Sequence, residues 1–193
     1  IIINSNNNIL KEDSGPLMPI SNYGAAKLAS EAYISSFCEC YNMVAWIMRF
    51  PNVVGWRMTH GVIYDFINKL KINPHELLIL GDGKQTKPYL FISDLLDAFD
   101  IIIRQNDTKV QSYNISSNSL SNVDFIANTV INYLKLKNVN LKYTGGNVGW
   151  VGDVAKFSYD ATKIKKLGWS ADHTSDEAVE LAVEKEIIFR GIS

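Results

Sequence analysis

A tyrosine and a lysine four residues apart form the most informative chemical pair in this sequence. Tyr23 and Lys27 begin the stretch YGAAKLASEAYISSFCECYN, whose pattern predicts a helix to about Tyr41. Residues four apart share one face of a helix, so the two side chains should be neighbours. An ammonium beside a phenol favours the phenolate, which can take a proton from an alcohol while a hydride leaves the same carbon. On spacing alone, an aromatic residue beside a surface lysine is the commoner explanation, so the surrounding sequence decides.

The composition excludes several classes of protein. The 193 residues are 47% hydrophobic, which is enough to build a core. The 19 lysines and arginines nearly balance 20 aspartates and glutamates, so bulk charge does not favour nucleic acid or an anionic membrane. Apolar runs are too short to span a bilayer, two cysteines make no disulfide framework, and three scattered histidines show no metal-ligand spacing. We expect a cytoplasmic protein with no metal, nucleic-acid or membrane partner.

Short apolar runs alternate with amphipathic segments along the chain, and this alternation is typical of the α/β class. Strands are predicted at 43–50, 77–80, 88–92, 112–116 and 139–143. Residues 4–22 are predicted to be a loop. The Tyr23 helix is predicted to be capped by Ser21 or Asn22, and a second helix is predicted over 62–72. Further helices are predicted to start at a Ser93–Asp94 cap, at a Ser121/Asp124 capping box and after Asp160. The last helix is predicted from a Thr174/Glu177 capping box to about Arg190.

The stretch PISNYGAAKLASEAY closely resembles the active-site helix of the extended short-chain dehydrogenase/reductase family, in its branch of sugar-nucleotide epimerases and dehydratases. The match to the family's Pro-x-Ser-x-Tyr-Gly-x-Ser-Lys pattern falls on Pro19, Ser21, Tyr23, Gly24 and Lys27. Further matches follow in the family's order at RFPNVVGWR (49–57), LGDGKQTKPYLFISDLLDA (80–98) and GDVAKFSYDATKIKKLGW (152–169). Four ordered matches from about residue 11 to the end are far more specific than one Tyr/Lys pair.

The resemblance implies a fold and its division. The chain would be the C-terminal part of an extended short-chain dehydrogenase, with the remainder of a Rossmann-like parallel sheet and a small α/β substrate-binding subdomain. Residues 1–60 would end the dinucleotide-binding domain with the Tyr/Lys helix and the following strand. Residues 61–193 would mainly form the substrate-binding subdomain, with short elements returning to the sheet. A homodimer is also implied, because family members usually pair through the Tyr/Lys helix.

The same resemblance implies a cofactor site for NAD, with NADP as the alternative. Tyr23 would be the acid/base, and Lys27 would be its partner and the anchor of the cofactor ribose. Phe50 and Pro51 would lie beside the nicotinamide, although Phe50 equally fits a place in the core.

Substrate-binding positions follow in the same way, for a nucleotide-sugar partner. Asn52 would hold the sugar diphosphate, Val62 would begin the next helix over the substrate, and Leu78 to Leu80 would border the base. Lys87 stands where the family has an arginine that reaches the diphosphate, and Asp153 falls in a turn that closes over the nucleotide. Asn52 and Asp153 also fit ordinary turn residues.

Two positions depart from the family's phosphate-binding pattern. Trp150 replaces an arginine, and Lys87 keeps the positive charge of another arginine but lacks its bidentate fork. Both changes should weaken binding of a nucleoside diphosphate at these positions.

Two motifs of the family have no counterpart in the 193 residues. No glycine-rich dinucleotide fingerprint precedes the Tyr/Lys helix, and Ser5 and Ser14 stand too close to Tyr23 to fill the place of the family's catalytic serine or threonine. We therefore expect the chain to be the C-terminal part of a longer enzyme and to need that enzyme's N-terminal part. Alone, it should bind dinucleotide poorly and turn nothing over.

The reaction implied is NAD-dependent epimerisation of a nucleoside-diphosphate sugar through a transient keto-sugar, with Tyr23 as acid/base. A sugar-nucleotide 4,6-dehydratase and an NADP-linked sugar reductase stay open, because the residues that would separate them are absent. A non-catalytic binding module of the same fold is the remaining alternative. Trp150 and Lys87 count for that module, and the intact Tyr23/Lys27 pair counts against it.

Overall fold

The computed structural model describes residues 9–105, 109–146, 149 and 157–192, in which strands and helices alternate. The strands are β1 Ile9–Leu10, β2 Ala45–Arg49, β3 Asn52–Val54, β4 Glu76–Ile79, β5 Thr86–Lys87, β6 Tyr89–Phe91, β7 Val110–Asn114, β8 Ser121–Asn122, β9 Asn140–Tyr143 and β10 Ser158–Tyr159. The helices are α1 Asn22–Tyr41, α2 Val62–Ile72, α3 Ile92–Ile103, α4 Val123–Tyr133, α5 Thr162–Lys165 and α6 Ser175–Phe189. The predicted α/β class is confirmed.

Parallel pairing dominates the strands. β1 pairs with β10, β2 with β7, β3 with β6 and β4 with β9, all in parallel. The short pair of β5 and β8 is antiparallel. Parallel neighbours need long crossover connections, which the helices between them supply. As a result, residues far apart in sequence meet at neighbouring strand ends, as Asn52 of β3 does opposite Tyr89 of β6.

Two apolar clusters form the core. The larger cluster packs α2, α4 and α6 against β4 and β6, and its fully buried members include Ile67, Leu77, Ile126, Val130 and Val183. The smaller cluster packs α3 and α5 beside β7, and its buried members include Ile102, Ile115, Ile164 and Trp169. Val54 joins the larger cluster, while the neighbouring Val53 packs against the smaller one. The boundary predicted near residue 60 stays a prediction.

Helix α1 begins and ends where its sequence predicts. The Ser21 side chain accepts a hydrogen bond from the Gly24 amide at 3.1 Å and caps the first turn. Asn42 ends the helix in the left-handed conformation, with φ 52°. This fixed start determines where the side chains of the first turns project.

The other predicted caps are partly wrong. α3 starts at Ile92 after Phe91, so Asp94 lies inside the helix, where its buried carboxylate binds His173 instead of capping. α4 is capped by Asn122, whose side chain accepts from the Phe125 amide at 2.7 Å. Ser121 does not cap it, because it lies one residue before the cap and its hydroxyl donates to Asp176.

Two further boundaries also differ from prediction. The cap residue of α5 is Ala161, although the Asp160 carboxylate still accepts from the Thr162 amide at 2.8 Å. The segment predicted as a loop over 4–22 contains β1, which forms only because β10 pairs with it.

The capping box predicted for α6 is present. Glu177 accepts from the Thr174 amide at 2.8 Å, and the Thr174 hydroxyl accepts from the Glu177 amide at 3.3 Å. Hydrogen bonds from the Thr174 backbone and hydroxyl lower the pKa of Glu177 below its ordinary value.

A pH dependence follows from this lowered pKa. The stabilisation is complete above the ordinary glutamate pKa and is lost as pH falls through the lower, folded-state pKa. Melting temperatures of the wild type and Glu177→Gln, measured from neutral pH to about pH 3, should therefore converge in acid. A wild-type advantage that stays constant over this range would contradict the prediction.

Candidate functional site

Helix α1 places Tyr23 and Lys27 side by side. The Lys27 ammonium lies over the Tyr23 ring, with Nζ 5.5 Å from the ring centroid. Tyr23 is 69% exposed, so its phenol is accessible from outside the chain. The two side chains therefore project together from the first turns of the helix.

Two cavities meet at Tyr23. One has a volume of about 350 Å³ and the other about 880 Å³, both within the usual range of ligand sites. Their shared wall consists of Tyr23, Phe50, Pro51 and Asn52. The segment from β2 to β3 supplies the last three of these, because Pro51 separates the two strands and turns the chain past the tyrosine.

The smaller cavity contains Lys27 and a fixed ion pair. Arg49 Nε donates to Glu31 Oε1 at 2.9 Å, and Nη2 donates to Oε2 at 2.5 Å, so β2 is bound to α1 by a two-pronged contact. Arg49 Nη1 also donates to the Glu12 carbonyl at 3.1 Å. The hydrogen bonds to Glu31 raise the pKa of Arg49. Tyr159 lines the same cavity, and burial raises the pKa of its phenol.

Removing the fork of Arg49 should destabilise the fold. Arg49→Lys keeps the charge but loses one of two charge-assisted hydrogen bonds, so we expect a loss of about 1–2 kcal/mol in the free energy of unfolding. Urea unfolding measures it. Arg104→Lys is the control, because Arg104 and its partner Asp100 are 72% and 58% exposed and such pairs contribute at most about 1 kcal/mol. Equal losses in the two variants would contradict a special role for Arg49.

The larger cavity brings together three of the predicted substrate positions. Asn52 at the start of β3, Val62 at the start of α2 and Lys87 in β5 all line it. Of the predicted base-bordering segment Leu78 to Leu80, only Leu80 lies in the wall, whereas Ile79 is fully buried. The predicted Asp153, like Trp150, lies outside the described residues.

Sequence reasoning missed several residues that line the cavities. Gln85 lies two residues before the predicted Lys87 and lines the same cavity, and the alternation of an extended segment would have suggested it. Arg57 and His60 belong to the loop that precedes α2 and also line the larger cavity. Tyr159 reaches the smaller cavity through the pairing of β10 with β1, which no local pattern indicates.

The residues present fit one end of a dinucleotide. Lys27 offers ammonium donors for ribose hydroxyls, and Phe50 with Pro51 offers an apolar wall for a flat ring. Within the described ranges, no group of histidine, cysteine, aspartate or glutamate side chains is arranged to hold a metal ion. None of the helices described is both long and apolar enough to cross a membrane.

Sequence comparison identifies relatives of known type. The pattern of the NAD dependent epimerase/dehydratase family matches residues 4–116. The dTDP-D-glucose 4,6-dehydratase of Mus musculus is 28% identical over 178 residues, which are 90% of this chain and 49% of that protein. The enzyme of the same name from Dictyostelium discoideum is 34% identical over 132 residues, 66% of this chain and 30% of its own length. The chain thus spans about half the length, or less, of these curated relatives.

Solved structures share the fold. A UDP-galactose 4-epimerase superposes with a TM-score of 0.80 and 32% sequence identity. The superposition covers 95% of this chain and 58% of the epimerase chain. The UDP-glucose 4-epimerase of Thermotoga maritima superposes with a TM-score of 0.80 and 27% identity, covering 97% and 59%. The predicted Rossmann-like α/β architecture is confirmed by these superpositions.

Proposed function

The chain belongs to the NAD-dependent epimerase/dehydratase family, and from this premise we propose that its protein epimerises a nucleoside-diphosphate sugar through a transient keto-sugar. One observation carries the proposal: Tyr23, with the Lys27 ammonium beside it, stands where two cavities meet. A phenol in that place touches a substrate in one cavity and a cofactor in the other.

The chemistry assigned to Tyr23 is a reversible proton transfer. The phenolate oxygen removes the proton of a sugar hydroxyl as the hydride of the same carbon leaves, and the phenol later returns that proton to the oxygen. A bound NAD would supply the hydride acceptor for this step and the hydride donor for its reversal at the other face of the sugar. Lys27 would stabilise the phenolate and donate to the cofactor ribose, and Phe50 and Pro51 would flank the nicotinamide. In the larger cavity, Asn52 and Lys87 hold the diphosphate, Val62 lies at the start of α2 over the substrate, and the keto-sugar has room to turn.

The 193 residues contain no glycine-rich fingerprint, so we propose that other residues of the enzyme hold the pyrophosphate of the cofactor. We also propose that the enzyme is a homodimer through α1. Support comes from an unusually apolar outer face of that helix, whose exposed members are Tyr33, Ile34, Phe37 and Tyr41.

A sugar-nucleotide 4,6-dehydratase is the second candidate. The relatives from Mus musculus and Dictyostelium discoideum carry that name, at 28% and 34% identity. The first step would be the same oxidation at Tyr23. Loss of water across C5 and C6 would follow, and the hydride would then return to C6 instead of to the opposite face of the oxidised carbon.

Product analysis separates the two. The native enzyme with NAD is given UDP-glucose or dTDP-glucose, and the products are resolved by chromatography and NMR. A product that differs only in the configuration of a ring carbon supports the epimerase. A 4-keto-6-deoxy sugar supports the dehydratase instead. If no UDP-, dTDP- or GDP-sugar is converted, the proposed enzymatic function is wrong.

A further inference from the structure

The loop before α2 forms one wall of the larger cavity and is attached at its back to α6. Arg57, Met58, Thr59 and His60 line the cavity. On the other side, the Lys185 ammonium lies 5.7 Å from the Trp56 ring centroid, and the Arg57 guanidinium lies 5.8 Å from that of Phe189. The wall therefore depends on contacts with a helix that does not itself line the cavity.

A buried carboxylate makes the most direct of these contacts. Glu186 of α6 is only 1% exposed. Its Oε1 accepts from Arg190 Nε at 2.5 Å, and its Oε2 accepts from the Met58 amide at 3.2 Å. Arg190 is fixed in turn, because its Nη1 donates to Asn68 Oδ1 at 2.8 Å and its guanidinium lies over the Tyr64 ring. One carboxylate oxygen of Glu186 is thus fixed by Arg190 on the same helix. The other oxygen binds the loop through the Met58 amide.

The loop needs such an anchor. Arg57 has φ 60°, a left-handed conformation that side-chain-bearing residues adopt at a cost. Strained residues persist when their surroundings fix them, and they concentrate at ligand sites. The hydrogen bond to Glu186 falls on the next residue, Met58, where it opposes relaxation of Arg57 toward an ordinary conformation.

We propose that Glu186 is a positioning residue for the ligand of the larger cavity. It touches no ligand, and it acts through the Met58 amide by holding the loop of residues 56–60 as a preformed wall. The inference rests on the proposed function, because it takes a nucleoside-diphosphate sugar as the occupant of that cavity. A wall formed before binding removes an ordering cost from the binding step, so its loss should appear in affinity and KM more than in kcat.

The test compares two substitutions of Glu186 in the native enzyme. Glu186→Leu removes the acceptor and leaves the Met58 amide unpaired, so the Kd of UDP-glucose, measured by calorimetry, should rise by about 10- to 100-fold. Glu186→Gln keeps an acceptor for that amide and should weaken binding several-fold less. The KM should follow the Kd, and kcat should stay near the wild-type value because Tyr23 lies on another wall.

A matched control separates positioning from general loss of stability. Ile102 is fully buried in the smaller apolar cluster, to which no residue of the loop 56–60 belongs, so Ile102→Ala should lower the melting temperature and leave the Kd unchanged. All variants are measured at a temperature where near-ultraviolet circular dichroism shows them folded, and Glu186→Gln alone serves if Glu186→Leu does not fold. Unchanged affinity in the folded Glu186 variants, or an equal loss in Ile102→Ala, would overturn the inference alone. A wild type that binds none of the UDP-, dTDP- or GDP-sugars would overturn the proposed function as well.

Discussion

Tyr23→Phe should lower kcat by about 10²- to 10⁴-fold, the usual contribution of a well-placed general acid or base. Phenylalanine keeps the ring beneath the Lys27 ammonium but has no proton to exchange with the sugar hydroxyl. The Kd of UDP-glucose should change little, since the proposed function assigns the diphosphate to Asn52 and Lys87 and not to Tyr23. Steady-state kinetics with calorimetric binding separate these two quantities.

Helix α1 supplies the control for this experiment. Tyr33 is 69% exposed, as Tyr23 is, but it lines neither of the two cavities. Tyr33→Phe should therefore leave kcat at the wild-type value. Should Tyr23→Phe retain full activity, or should both variants lose the same activity, the proton transfer assigned to Tyr23 would be wrong.

The Tyr/Lys helix was predictable because its signals are local. Ser21 caps it, Asn42 ends it, and the spacing between Tyr23 and Lys27 alone places the two side chains together. By contrast, β3 has only three residues after a proline, and it forms because β6 pairs with it. No local pattern contains such a pairing, so the sequence did not reveal this strand.

The same distinction explains the site. Asn52, Val62 and Lys87 belong to three elements, and only the resemblance to a family suggested that they share a cavity. Asp94 shows the opposite error, because its position before an apolar run is typical of a cap. Its carboxylate instead binds His173, 79 residues away, with Oδ1 2.9 Å from Nδ1. Buried polar partners of this kind are decided by the folded chain, and short-range spacing does not contain them.

Gly83, in the turn between β4 and β5, has less room for a side chain than other glycines of positive φ. Gly83 has φ +77°, and a Cβ there would overlap the Asp124 carboxylate and lie 2.7 Å from Tyr143 Cε1. Moving either side chain away would disturb the hydrogen bond between them. The Tyr143 hydroxyl donates to Asp124 Oδ1 at 2.9 Å, and the Asp124 amide donates to the Gly83 carbonyl at 3.1 Å. The turn therefore needs both the left-handed conformation and the empty space.

Gly83→Ala and Gly145→Ala together separate the two requirements. Gly145 has φ +80° but no atom within 4 Å of an added Cβ, so Gly145→Ala should cost only the left-handed backbone, about 1–2 kcal/mol. Gly83→Ala should add about 1–3 kcal/mol for the overlap with Asp124 and Tyr143. Urea unfolding of the two variants gives the difference in unfolding free energy directly, and equal losses would show that the overlap is relieved at no cost.

Because this turn leads into β5, which carries Lys87, Gly83→Ala should also weaken the binding of UDP-glucose, whereas Gly145→Ala should weaken it less.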